Sequence, residues 1–179
     1  MKRTLTLAAC AVACVAFAKQ QEMMDMTPPK ELKMASWLLG SWTGNEVYTM
    51  EPGAKPEKGK ATVKGQWALG GRYLEGKHNM TVGGMKMEGR NLMTYDPAKK
   101  EWIAYWFDSA APGAMKMTRT VTDKMATMTS EPMEMPGMPG MQVMRATWTK
   151  TGAKKMHFVL SMKAGDKWNT FMTGDYIRK

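Results

Sequence analysis

Residues 71–95 read GRYLEGKHNMTVGGMKMEGRNLMTY, and this stretch indicates the fold of the chain. Up to Val82 the side chains alternate between two faces, as the pleat of a β-strand requires, and the alternation resumes after Gly83-Gly84. A Gly-Gly pair between two alternating runs is typical of a hairpin, because glycine adopts the positive φ of a tight turn without steric cost. The stretch therefore predicts two antiparallel strands joined by a short turn.

Runs of the same kind recur about every ten residues along the rest of the chain, separated by turn residues such as Asp96-Pro97 and Gly165-Asp166. We predict strands at residues 42–50, 60–68, 71–82, 85–95, 101–108, 114–122, 124–130, 141–150, 155–163 and 167–178. Sequential hairpins favour an all-β, up-and-down antiparallel barrel of eight to ten strands, with a two-sheet sandwich as the alternative. Helix-like spacing of apolar residues over 30–39 predicts one short helix before the first strand.

The first 18 residues, MKRTLTLAACAVACVAFA, have the layout of a secretory signal peptide. Lys2 and Arg3 precede an apolar run that ends in a small-x-small cleavage pattern at Ala18. The apolar run is shorter than the span of about 20 residues that a membrane helix needs. We therefore expect cleavage after Ala18 and export to the periplasm or the medium. A buried N-terminal helix and a lipoprotein anchored through Cys10 are the alternatives.

Residues 19–30 are predicted to form a disordered leader, and 31–179 a single β-barrel domain. Both cysteines of the chain, Cys10 and Cys14, lie in the signal segment, so the mature domain has no disulfide and no thiolate site. The chain has 26 Lys and Arg against 16 Asp and Glu, a formal net charge of +10. Because the basic residues are scattered rather than clustered, they indicate a solvated surface and argue against a nucleic-acid partner.

Alternation also predicts which polar side chains point into the barrel. His78, Asn91, Tyr95 and Arg119 each share a strand face with inward methionines, whereas His157 falls on the outward face of its strand. An apolar interior with a few polar groups is typical of a small-ligand pocket, so the four inward residues are candidate ligand contacts. The alternatives are ordinary buried polar groups satisfied by the backbone, or a face assigned wrongly because of a β-bulge.

Several short motifs resemble known families. Gly40-Ser-Trp42 at the first strand and Arg178 in the last are similar to lipocalin-like (calycin) barrels. Between them, the series GGR at 70–72, MTYDPAKKEW at 93–102 and WFDS at 106–109 resembles the secreted bacterial family catalogued as domain of unknown function 1579. The resemblance covers roughly residues 32–179. It implies a lipocalin-like barrel in which Trp42 closes the bottom and Arg178 lies over its ring in a cation–π contact. It implies no activity and no catalytic residues.

Catalytic motifs are missing from the sequence: it has no nucleophile elbow, no zincin motif and no phosphate-binding loop. Two histidines are too few for an imidazole metal cage, and haem ligation by His78 rests on fold analogy alone. We therefore predict a binding protein and not an enzyme, with no resident cofactor and no membrane span. Its expected partner is an apolar or amphipathic small molecule.

Residues 133–141, MEMPGMPGM, offer an alternative function. They place four thioethers, Met133, Met135, Met138 and Met141, within nine residues. Thioether sulfur suits Cu(I) or Ag(I), so the segment is a candidate site for soft-metal binding or buffering. The chain has 22 methionines, however, and close spacings arise by chance. Convergent sulfurs would favour a metal site, and sulfurs packed over the barrel mouth would favour a lid or a plain loop.

Overall fold

The computed structural model describes residues 27–49, 54–82, 84–135 and 138–179. The predicted signal peptide and most of the predicted leader lie outside the described residues. The first element is a 3-10 helix, Lys30–Leu38, which buries Leu32, Ala35 and Trp37 and confirms the short helix predicted there. Among the described residues, no helix is long and apolar enough to cross a membrane.

Twelve strands follow the helix within the described residues. They are β1 Gly40–Tyr48, β2 Glu57–Ala68, β3 Tyr73–Val82, β4 Met85–Asp96, β5 Glu101–Asp108, β6 Met115–Val121, β7 Met125–Ser130, β8 Met133–Glu134, β9 Met141–Gln142, β10 Met144–Gly152, β11 Lys155–Ala164 and β12 Lys167–Arg178. All except β8 and β9 form one closed antiparallel barrel, in which successive strands pair and β12 returns to pair with β1. This confirms the predicted up-and-down barrel and excludes the sandwich.

Strands β8 and β9 form a separate two-stranded ribbon, in which Met133 pairs with Gln142. The predicted strand 141–150 is therefore divided. The division falls at Val143, whose carbonyl accepts a hydrogen bond from the Lys163 amide (2.9 Å). The next amide, that of Met144, donates to the Ser130 hydroxyl at 2.9 Å, so a side chain replaces one backbone partner where β10 begins.

Side chains alternate between the barrel interior and the outer surface along each strand. In β1, for example, every second residue from Trp42 to Tyr48 is buried and its neighbours are exposed. The same alternation places Met93, Met117, Met128 and Met172 inside. Period-two burial follows from the pleat, since successive Cβ atoms point to opposite faces of the sheet.

The helix closes one end of the barrel. The Trp42 indole N–H donates to the Leu38 carbonyl at 3.2 Å, and that of Trp37 donates to the Thr122 carbonyl at 3.0 Å. The Arg178 guanidinium lies 4.5 Å from the Trp42 ring centroid and donates to the Trp37 carbonyl at 2.6 Å. Gly40 has φ +101 beside Arg178, a conformation that strains other residues. We call this the closed end.

Candidate functional site

A cavity of about 840 Å³ occupies the barrel on the side away from Trp42. It lies towards the ends where β1, β3, β5, β7 and β11 finish, and we call this the open end. Its volume is in the range of small-molecule pockets, which are mostly apolar with a few polar groups. The barrel interior is therefore not filled by its own side chains.

Methionine and aromatic side chains form most of the cavity wall. The wall contains eleven methionines: Met80, Met85, Met87, Met115, Met117, Met128, Met135, Met138, Met144, Met162 and Met172. Its tryptophan and phenylalanine residues are Trp106, Trp148, Phe158, Trp168 and Phe171. Thioether side chains are unbranched and polarizable, so such a wall adapts to ligands of different shapes.

One polar cluster stands in this apolar wall, and it consists of Glu46, Tyr48 and Tyr176. All three are almost completely buried, and Glu46 is only 1% exposed. Both tyrosine hydroxyls donate hydrogen bonds to the Glu46 carboxylate. Burial, with the nearby Glu46 carboxylate, raises the pKa of both phenols, so they stay protonated as donors. We call these residues the Glu-Tyr-Tyr cluster.

This cluster is not among the predicted ligand contacts, although the sequence contains a signal for it. Alternation along β1 places Glu46 on the same face as Trp42, and alternation along β12 places Tyr176 on the same face as Arg178. An acidic residue on an inward face is unusual enough to mark a site, because a buried carboxylate needs partners.

His78, a predicted ligand contact, lies in the cavity wall. Its ring meets Trp106 edge-on at 5.0 Å between centroids, and Trp148 lies 6.2 Å away. Burial, assisted by the positive charge of Arg119, lowers the pKa of His78 from 6.5 to about 4. The imidazole is therefore neutral at physiological pH and adds no positive charge to the cavity.

The other three predicted contacts do not belong to the cavity wall. Arg119 and Asn91 are buried together, with the guanidinium 3.4 Å from the Asn91 amide oxygen and 3.1 Å from the Met128 sulfur. Burial lowers the pKa of Arg119 to about 9. Tyr95 packs edge-on against Trp102, 5.6 Å between centroids. A ligand role for these three residues stays a prediction.

The methionines of the MEMPGMPGM segment do not share one position. Met135 and Met138 line the cavity at the open end, and the Met138 amide donates to the Met135 carbonyl at 3.1 Å. Met133 and Met141 lie on the β8–β9 ribbon, where Met141 is 60% exposed. A metal-binding role for the four methionines stays a prediction. Among the described residues, no cluster of three His, Cys, Asp or Glu side chains has the arrangement of a metal site.

Comparison with protein families decides the classification. A family model described as protein of unknown function (DUF1579) matches residues 27–178. The chain belongs to this family. The match spans the helix and the whole barrel, so it agrees with the resemblance that the motifs indicated. No curated protein matches the chain.

Solved structures that share the fold of this DUF1579 protein include the following two. Rv2717c from M. tuberculosis aligns with a TM-score of 0.61 and 14% identity over 86% of this chain and 99% of that one. The S-type phycobiliprotein lyase CPES from Guillardia theta aligns with a TM-score of 0.53 and 9% identity, over 85% and 98% of the two chains. At such identities the likeness shows the fold alone, since one barrel fold carries many functions.

Proposed function

We propose that this DUF1579 protein is an exported barrel that binds an apolar or amphipathic small molecule in the cavity at its open end. The observation that carries the proposal is the cavity itself: about 840 Å³ with a wall of methionines and aromatic rings. A ligand that covers such a wall gains about 25 cal/mol for each Å² of apolar surface removed from water. The adaptable thioethers favour a range of related ligands over one rigid shape.

Binding, and not catalysis, accounts best for the polar groups of the wall. His78 contacts the rings of Trp106 and Trp148, whereas a nucleophilic pair would place a hydroxyl or thiol beside the imidazole. Glu46 accepts hydrogen bonds from two protonated phenols and is thereby fixed in place. These are the features of a preformed pocket in which a few polar groups orient a mostly apolar ligand.

Filling the cavity tests this proposal. Ala146 lies in the wall, and the next residue, Thr147, belongs to the opposite face of β10. We expect the wild-type protein to bind the apolar fluorophore N-phenyl-1-naphthylamine saturably, with one site per chain. Ala146→Phe should weaken that binding by about tenfold, equivalent to about 1.4 kcal/mol, and the matched Thr147→Phe should leave it unchanged. Absence of saturable binding, or equal binding by Ala146→Phe, would refute the cavity as the ligand site.

A second candidate function is soft-metal binding by the MEMPGMPGM segment, and the observation that favours it is that Met135 and Met138 line a wall with nine further thioethers. It is tested by competition for Cu(I) against a chromophoric chelator. Replacing Met133, Met135, Met138 and Met141 together with Leu keeps apolar bulk and removes sulfur. If wild type and this variant withdraw equal amounts of Cu(I), or none, the segment is not a metal site.

A further inference from the structure

The Glu-Tyr-Tyr cluster contains a buried negative charge without a positive partner. No Lys, Arg or His side chain of the described residues forms an ion pair with Glu46. A buried carboxylate is strongly destabilising unless a cation or several donors compensate it. The Tyr48 and Tyr176 hydroxyls supply two donors, and no cation of the described chain completes the set.

Three glycines in three different strands make room for the cluster. A Cβ atom at Gly44 would lie 2.5 Å from the Tyr176 ring, and one at Gly59 would lie 2.6 Å from the Tyr48 ring. A Cβ atom at Gly174 would lie 3.0 Å from Glu46 and 2.9 Å from Tyr176. Glycine inside a strand weakens the sheet and often marks a close approach. The sheet is thus adapted to accommodate these three side chains.

The cluster offers acceptors to a ligand, and no donors. Each phenol has a single proton, and both protons point at Glu46, so only lone pairs of the oxygens remain. A phenol that donates to a carboxylate is polarised and becomes a better acceptor. Trp148 meets the Tyr176 ring edge-on at 5.0 Å and lies 4.3 Å from the Phe158 ring, so aromatic rings stand beside the acceptors. Aromatic faces attract cations.

Among the described residues, Lys163 is the only Lys or Arg side chain of the cavity wall. His78 is neutral, because burial holds its pKa at about 4. Arg119 does not belong to the wall, and its guanidinium is directed to Asn91 and Met128. Lys163 is exposed, and it shares the wall with the acidic Asp108. An anionic head group placed deep in the cavity would therefore meet Glu46 and no cation of the wall.

We propose that the cavity selects ligands with an ammonium or other cationic head group, which the Glu-Tyr-Tyr cluster holds while the apolar body lies against the methionines. This inference rests on the proposed function and adds the chemical class of the ligand. Primary amines and quaternary ammonium compounds with a long apolar tail match both the polar cluster and the apolar wall. Primary ammonium groups would form charge-assisted hydrogen bonds with the cluster, and both kinds of head group would form cation–π contacts.

The test compares probes that differ only in the head group. Dodecylammonium, dodecanol and dodecanoate compete with N-phenyl-1-naphthylamine for the wild-type protein at neutral pH, with the two ionic probes below their micellar concentrations and dodecanol below its solubility limit. We expect dodecylammonium to displace the fluorophore at about tenfold lower concentration than dodecanol, a difference typical of one charge-assisted contact, and dodecanoate to be the weakest. If no probe displaces the fluorophore, the proposed function fails. If dodecanol or dodecanoate is as potent as dodecylammonium, this inference fails and apolar binding stands.

Variants assign the preference to the cluster. Glu46→Gln keeps the shape and removes the charge, so the advantage of dodecylammonium over dodecanol should disappear. Glu75→Gln is the matched control, because Glu75 is 9% exposed and bonded to Gln66 on the outer face of β3; it should keep the preference. Tyr176→Phe supplies a second variant and should reduce the preference. Full preference in both cluster variants would overturn the assignment.

Discussion

The two ends of this barrel differ in the kind of contacts that their side chains make. At the closed end, Trp37, Trp42 and Arg178 form directed contacts: two indole N–H groups and a guanidinium donate to backbone carbonyls. At the open end, Met135 and Met138 line a cavity mouth beside the two-stranded β8–β9 ribbon. Rigid aromatic groups with fixed hydrogen bonds hold one packing arrangement, whereas flexible thioether side chains can adopt several.

This contrast separates the residues that stabilise the barrel from those that adapt to a ligand. Substitutions at the closed end should change the free energy of unfolding and spare the cavity. Substitutions at the open end should leave stability nearly unchanged and alter binding. His78, which lies between the two ends and is half-buried in the cavity wall, should make stability depend on pH because its pKa is lowered.

The largest effect is expected at the closed end. Trp42 is 2% exposed, and Trp42→Ala should lower the free energy of unfolding by about 3–5 kcal/mol, through lost burial and the cavity left behind. Urea denaturation of wild type and variant measures this difference in the free energy of unfolding. Ile177→Ala is the control, since Ile177 neighbours Arg178 in sequence but is 58% exposed and should change stability by about 0.5 kcal/mol or less. A Trp42→Ala protein that melts within about one degree of wild type would contradict the role of the closed end.

An intermediate effect is expected from His78. Its pKa is 6.5 as a free side chain and about 4 in the folded barrel. As the pH falls below about 6.5, the unfolded chain takes up a proton that the folded chain does not, so the free energy of unfolding decreases until the pH reaches about 4. We expect this group to lower the free energy of unfolding by about 2 kcal/mol over this pH range. The value is smaller than the full pKa shift implies, because solvent in the cavity screens part of the effect.

Denaturation curves measured from neutral pH down to about pH 4 test this expectation, with His78→Gln as the comparison. The variant should lack this part of the pH dependence and keep the part that acidic residues contribute. Above neutral pH the difference in stability between the two proteins should be constant. Equal slopes for wild type and variant would show that the folded barrel does not hold His78 neutral.

The smallest effect is expected at the open end. Met135→Leu combined with Met138→Leu preserves volume and should change the free energy of unfolding by less than about 1 kcal/mol. The same variant should alter the relative affinities of bulky and linear apolar ligands, because Leu is branched and less flexible than Met. Thermal denaturation and fluorophore displacement measure the two effects. A loss of stability as large as that of Trp42→Ala would remove the distinction between the two ends.

Local pattern was sufficient to predict most of the barrel. Alternation over 71–95 and the Gly-Gly turn predicted two strands, and β3 and β4 occupy Tyr73–Val82 and Met85–Asp96. The division at Val143 was not predictable, because it depends on a hydrogen bond from Lys163 in a neighbouring strand. Alternation likewise put His78 and Arg119 on inward faces. It carries no information on the position of a residue along the barrel axis, and this position decides that His78 lines the cavity and Arg119 does not.

By itself, the sequence determined most of the strands and turns, the inward methionines and the family, since these depend on period-two alternation and on motifs within single hairpins. Only the tertiary structure decided that Glu46 and Tyr176, 130 residues apart, meet inside the barrel. That contact requires β12 to pair with β1 in one register, and closure of a ten-stranded sheet sets this register for the whole barrel at once. The open cavity has the same origin, because the circumference of the closed sheet determines how much volume the inward side chains must fill.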